Sequence, residues 1–180
     1  MYIKIHMKIG ILSDTHRNTP LHEKALDFLV THKKIDRVYH LGDDYKDAEI
    51  EIGRGLDLLR VPGIYCPEYQ DRLTDRVLFD TVLGVNIVMA HDRKDLTDEN
   101  VLCNDIILYG HYHKYEIRIE NSKLYMNPGH LKSPKDKNQP PSFGFLDIDF
   151  GEISAAILGV DGKTLLSMKL KKGETGLYRV

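Results

Sequence analysis

The chain has 180 residues, the size of one domain, and its 42% hydrophobic and 29% charged content excludes a disordered or membrane-embedded class. A formal charge of −2 argues against nucleic acid as a stable partner, and no apolar run approaches the roughly 20 residues that span a bilayer. Two cysteines are too few for a disulfide scaffold, and with no signal-peptide core in the first residues the reading is a cytoplasmic protein.

Met7 offers a second start, so 1–6 is a candidate N-terminal extension of a single domain spanning 1–180. Lys8 to Leu12 is a short apolar run ending in the polar cluster SDTH, the pattern of a buried strand that delivers side chains at its carboxyl end. Thr19 followed by Pro20 predicts a capped helix start. Leu21, Ala25, Phe28 and Leu29 keep helical spacing to about residue 33. Arg37 to Leu41 reads as a second strand, again ending in a polar cluster, GDD, which completes a right-handed βαβ unit. A broken helix is expected over 45–57 and a third strand over 58–61, running into the stretch VPGIYCPEY.

From Arg76 the character changes. VLFDTVLG and VNIVMAH form an antiparallel pair, a short helix starts at Thr97, and DIILYGHYH is a strand ending in histidines. YEIRIENSKLYMN is a hairpin turning at Asn121-Ser122. FGFLDID, EISAAILGV and TLLSMKLK follow as strands, and the proline-rich SPKDKNQPPS before them reads as a surface loop. The fold class is α/β: two mixed sheets packed as a β-sandwich and flanked by helices, in four layers.

Four strand ends finish in metal-ligand types: Asp14 with His16, then Asp43, then His91, then His111 with His113. In extended chain, residues i and i+2 project to one side, so the Asp-x-His and His-x-His pairs can each converge. Carboxylate and imidazole together suit borderline divalent ions such as manganese, iron or zinc. Each fragment alone is weak, because an Asp-x-His is usually a loop carboxylate beside an exposed histidine. Four consecutive strand ends are a much stronger signal.

The ordered set SDTH, LGDD, MAHD, GHYH and NPGH resembles the calcineurin-like metallophosphoesterases, in particular their small single-domain bacterial and archaeal branch, from Met7 to about Leu146. The resemblance implies a two-sheet sandwich and two divalent ions. Manganese is expected, with iron, zinc or nickel as alternatives. Asp14, His16 and His113 would hold the first ion, Asp43 would bridge, and His91 with His111 would hold the second. It further implies phosphoester hydrolysis by a metal-bridging water, with Asp43 and His111 central, on a small phosphoester, most naturally a diester. Asn127 matches the floor of the family site and, with His130 and Lys132, is a candidate substrate contact, beside Lys135.

One position departs from the pattern. Where the small branch carries a ligating asparagine after its third strand, this chain has Ile64, so Cys66 or Glu68 is a candidate replacement ligand, with Asp92 a further one. His40 reads as a packed or supporting histidine, and His22 and His32 as solvated. Asp44 and Asp47 read as turn or cap residues that could orient ligands, and Tyr65, Tyr69 and Tyr112 as packing or, alternatively, the lining of a pocket. The alternative function is a non-catalytic interaction scaffold of the same fold, as in the retromer subunit with its degraded metal site. Homo-oligomerisation is left open.

Overall fold

A computed structural model describes residues 6–71 and 73–180. Most of the candidate extension therefore lies outside the described residues. His6 lies within them, and its Nδ1 sits 2.9 Å from Asp147. In chain order the strands are β1 (Met7–Leu12), β2 (Arg37–His40), β3 (Asp57–Arg60), β4 (Val77–Val82), β5 (Val85–Ala90) and β6 (Ile106–Tyr109). They continue as β7 (Glu116–Glu120), β8 (Lys123–Asn127), β9 (Ser142–Asp149), β10 (Glu152–Gly159), β11 (Thr164–Gly173) and β12 (Gly176–Arg179). One sheet has the order β12-β11-β10-β9-β1-β2-β3 and the other β4-β5-β6-β8-β7. The two mixed sheets match the expected sandwich. The terminal strand β12 was not foreseen, since Gly176–Arg179 is too short to show a period.

The alternation of each strand decides where the core lies. Ile9 and Ile11 of β1, with Tyr39 of β2, face Ile87 and Met89 of β5 and Ile106 and Leu108 of β6 between the sheets. On the outer face of the first sheet, Leu26 and Leu29 pack with Val38 and Phe143. Their helix, α1 (Thr19–Phe28), continues as wider π turns to Lys33, close to the predicted end. Its cap is Asn18, one residue before the expected Thr19, because the Asn18 side chain accepts from Leu21 N. The region after β2 is a 3₁₀ turn, Tyr45–Ala48, leading into α2 (Glu49–Gly53). A short α3 (Pro67–Gln70) falls inside VPGIYCPEY, and α4 (Asp98–Leu102) begins after Thr97 with a full capping box.

Strands β1, β2 and β3 run parallel, as do β5 and β6, so their carboxyl ends gather at one end of the sandwich. Pairing continues past the strands: Leu41 N donates to Leu12 O at 2.8 Å, Asp14 N to Gly42 O at 2.9 Å, and Val61 N to His40 O at 3.1 Å. The backbones come so close that a Cβ on Gly63 would lie 2.1 Å from Asp43 O. The glycine of VPGIYCPEY is therefore what lets β3 approach the Asp43 turn.

Beneath that turn, His22 of α1, His40 of β2 and Glu51 of α2 are fully buried, with ligand-type atoms within 4.8 Å of one another. This corrects the expectation of a solvated His22: its Nε2 lies 2.8 Å from Glu51 Oε1. The helical period could not show this, because the partner arrives from a later element. His40 Nδ1 accepts from Gly42 N at 3.3 Å, which leaves its proton on Nε2. That donor and Glu51 Oε2 both lack another partner and are complementary. Burial pushes the His40 imidazole down to about 4, with the Glu51 charge only partly opposing it. His32 is exposed as expected, stacked on Phe28.

Two predictions follow from this layout. Gly63→Ala should lower stability by about 1–3 kcal/mol in urea unfolding. Gly53→Ala, with nothing within 4 Å of its added Cβ, should raise it by about 0.4–1 kcal/mol. Equal effects would refute the close-approach argument. Between pH 6.5 and about 4 the unfolded chain binds a proton at His40 that the folded chain does not. Stability should therefore be complete above that window and fall with pH through it, by up to about 3 kcal/mol. His40→Gln should flatten that slope in thermal melts taken across the window.

Candidate metal centre

Each candidate ligand follows a strand end, and most occupy a backbone conformation that non-glycine residues avoid. The φ angles are 53° at Asp14, 47° at His16, 111° at Asp43, 67° at His111 and 56° at His113. Left-handed geometry costs on the order of 1 kcal/mol or more per residue, so the surrounding bonds must hold it. They do so across the seam between the sheets. Asp14 Oδ2 accepts from Ser13 Oγ at 2.7 Å and from His111 N at 2.9 Å, and His91 Nδ1 donates to Leu41 O at 2.7 Å. Asn127 Nδ2 donates to Gly110 O at 2.9 Å while its Oδ1 accepts from Gly129 N at 2.9 Å.

These bonds bring together two groups of ligand-type atoms, Asp14 with His16 and His113, and Asp14 with Asp43 and His91. Asp14 is common to both groups of atoms. Asp43 meets the first group through His16 Nδ1, at 2.9 Å. His111 stands at the edge: its ring centroid is 5.3 Å from that of His91, and its Nε2 is 4.0 Å from Asp92. Burial and then the neighbouring His91 keep the His111 imidazole below its ordinary value, hence neutral near pH 7.

The donor set can be tested for a cation directly. His113 Nδ1 is bonded to Asp136, so its Nε2 is left with a lone pair, 3.2 Å from Asp14 Oδ1 and 3.1 Å from His16 Nε2. His16 stands between Asp43 and His113, its Nδ1 2.9 Å from Asp43 Oδ2 and its Nε2 hydrogen-bonded to His113 Nε2. Asp14 Oδ1 is buried and accepts no hydrogen bond. Three ligand-type atoms thus lie around one point, an arrangement that suits a divalent ion. For the His113 proton, burial acts downward, but Asp14 and Asp136 outweigh it and hold the group above the usual histidine value. Asp14 is itself held low, with burial opposed by His113 and His91.

The remaining candidates fall elsewhere. Cys66 and Glu68 line a cavity of about 500 Å³ together with His16, Arg17, Asp43, Lys46 and Tyr65. Among the described residues neither joins the ligand groups. The Cys66 thiol donates to Gly63 O at 3.0 Å, and burial pushes its pKa up, so it stays protonated. Asn127 and His130, expected as substrate contacts, are interior: the Asn127 amide is used at both ends, and His130 is fully buried with Nε2 3.3 Å from Gln139 O. Lys132 is exposed and its Nζ lies 3.9 Å from Asp136. Asp44 and Asp92 cap the turns after them, and Asp92 also accepts from Tyr112 OH at 2.9 Å. Asp47 accepts from Thr15 Oγ1 at 2.5 Å and from Arg17 N at 2.8 Å, bracing the SDTH turn. Asp136, in the supposed surface loop, was not singled out by sequence, and no motif could have found it.

Comparison with known proteins agrees with this fold. The YfcE phosphoesterase of E. coli superposes with a TM-score of 0.73 at 21% identity, over 89% of this chain and 98% of that one. Vacuolar Protein Sorting 29 of Cryptosporidium parvum gives 0.72 at 20% identity, over 93% and 99%. Wild-type Vps29 of Entamoeba histolytica, solved in complex with zinc, gives 0.69 at 23%, over 92% and 99%. At such identities these likenesses establish the fold. No curated protein matches the sequence significantly. The family model for the calcineurin-like phosphoesterase superfamily domain matches residues 7–151, so the chain belongs to that superfamily.

Proposed function

We propose that the chain is a cytosolic metal-dependent phosphoester hydrolase, acting on small phosphodiesters with two divalent ions, manganese preferred. The observation that carries this reading is the convergence of Asp14 Oδ1, His16 Nε2 and His113 Nε2 at one point. Asp14, His16 and His113 would hold one ion and His91 with His111 the other, with Asp43 shared between them. When bound, such ions supply Lewis acidity toward phosphoryl oxygens and a water of lowered pKa.

The chain's own groups have separate tasks. The carbonyl of Leu41 fixes His91 with its proton on Nδ1, leaving Nε2 free to ligate. Asp43 orients His16, and the Gly63 backbone holds the Asp43 turn in place. Arg17, paired with Asp44 at 2.6 Å, and Lys46 stand on the cavity wall, where their charge would favour an anionic ester. Ile64 leaves the second ion with three protein ligands, enough for a catalytic site with open positions. The scaffold reading draws on the Vps29 likeness and on Ile64.

Metal analysis and hydrolysis of bis-aryl and mono-aryl phosphates with added Mn²⁺ separate the two readings. Asp43→Asn should lower diester turnover at least 100-fold, with loss of metal. A wild-type protein with less than one ion per chain and no activity with any divalent ion would sink the enzyme reading. Cys66→Ser and Glu68→Gln should each leave occupancy of the second ion unchanged, since the thiol is turned to Gly63 O.

A further inference from the structure

The proline-rich loop after the NPGH turn contains one side chain that reaches the metal-ligand cluster. Asp136 Oδ2 bonds His113 Nδ1, on the opposite edge of the ring from Asp14 and His16. The loop is shaped to present it. Asp136 N donates to Gln139 O at 3.1 Å and Gln139 N to Asp136 O at 2.7 Å, with Lys137 and Asn138 between them at φ 46° and 61°. That is a two-residue hairpin turn with both central residues left-handed, adopted here without glycine. Lys137 Nζ donates to Tyr112 O at 3.1 Å, beside His113, and His130 Nε2 lies 3.3 Å from Gln139 O. The hairpin is thus tied to the His111–His113 turn at two points and to the NPGH turn at a third.

We propose that Asp136 is a positioning residue: it holds His113 in the tautomer whose Nε2 ligates, and so couples cation binding at Asp14, His16 and His113 to order in the 132–139 loop. This rests on the metal reading above. The physical argument is one of tautomers. A neutral imidazole carries one proton, and a carboxylate at Nδ1 keeps it there, leaving the lone pair on Nε2 and raising its basicity. With that carboxylate removed, the proton is free to sit on Nε2, where Asp14 attracts it in competition with a cation. Because linkage is reciprocal, a cation that draws on the His113 lone pair also strengthens the His113–Asp136 bond and with it the hairpin.

The test compares wild type with Asp136→Ala, Asp136→Glu and the exposed control Lys135→Ala, titrated with Mn²⁺ alone by calorimetry. Asp136→Ala should weaken one binding event about 10–100-fold and leave the other in place. Asp136→Glu should recover part of the loss, and Lys135→Ala should match wild type. In the same proteins without metal, nitrogen-15 spectra at alkaline pH should show the His113 proton on Nδ1 in wild type and a shift toward Nε2 in Asp136→Ala. Mn²⁺ should slow exchange of the Asp136 and Gln139 amides in wild type only. If wild type binds Mn²⁺ and folded Asp136→Ala binds it with equal affinity, the assignment is wrong while the metal reading stands. If wild type binds no divalent ion, both fall.

Discussion

The carboxylate of Asp14 sits at the seam where two sheets end, and the rest of the site depends on it. One oxygen is held by Ser13 from its own segment and by the backbone of His111 from the other sheet. The other oxygen faces His113 without a hydrogen bond. A buried anion with half its capacity unused is costly unless a positive charge completes it. The arrangement therefore makes sense around a cation and poorly without one. The same carboxylate makes the two sheets share one functional edge.

Close backbone approach is the second constraint. The ligand-bearing turns can take left-handed backbone only because neighbouring chain fits tightly around them. Gly63 is pressed against Asp43, and a Cβ on Gly110 would lie 2.0 Å from Ser13 Oγ and 2.9 Å from Asp14 Oδ2. Strain at the ligands is thus supported by packing beneath them, where the His22–Glu51–His40 trio ties two helices to the end of β2. The altered turn at Ile64 fits this picture. It keeps the glycine that the Asp43 turn requires and turns the Cys66 thiol back onto the Gly63 carbonyl, so the segment serves as a wall of the cavity.

The sheets and the six Asp and His candidates were legible in the sequence because both depend on local pattern. Apolar runs and alternation mark strands, and polar clusters at their ends mark where side chains emerge. Boundaries shifted by a residue at Asn18 and β3, where capping bonds and pairing partners, not composition, decide the end. His22 was misread because its partner, Glu51, lies 29 residues away. Asp136 escaped notice for the same reason: nothing near it in the chain predicts contact with His113, 23 residues earlier.

By itself, then, the sequence determined the sandwich, the edge on which chemistry gathers and the ligand types delivered there. Each of these follows from spacing within a strand and from the residue types at its end. Tertiary structure alone placed Asp14 in both groups of ligand-type atoms and put Asn127 and His130 in the interior. It also decided that Cys66 points away, and that a loop carboxylate completes His113. These outcomes depend on which segments meet across the seam and on which nitrogen of each ring faces inward. Both are fixed by long-range hydrogen bonds that no local pattern encodes.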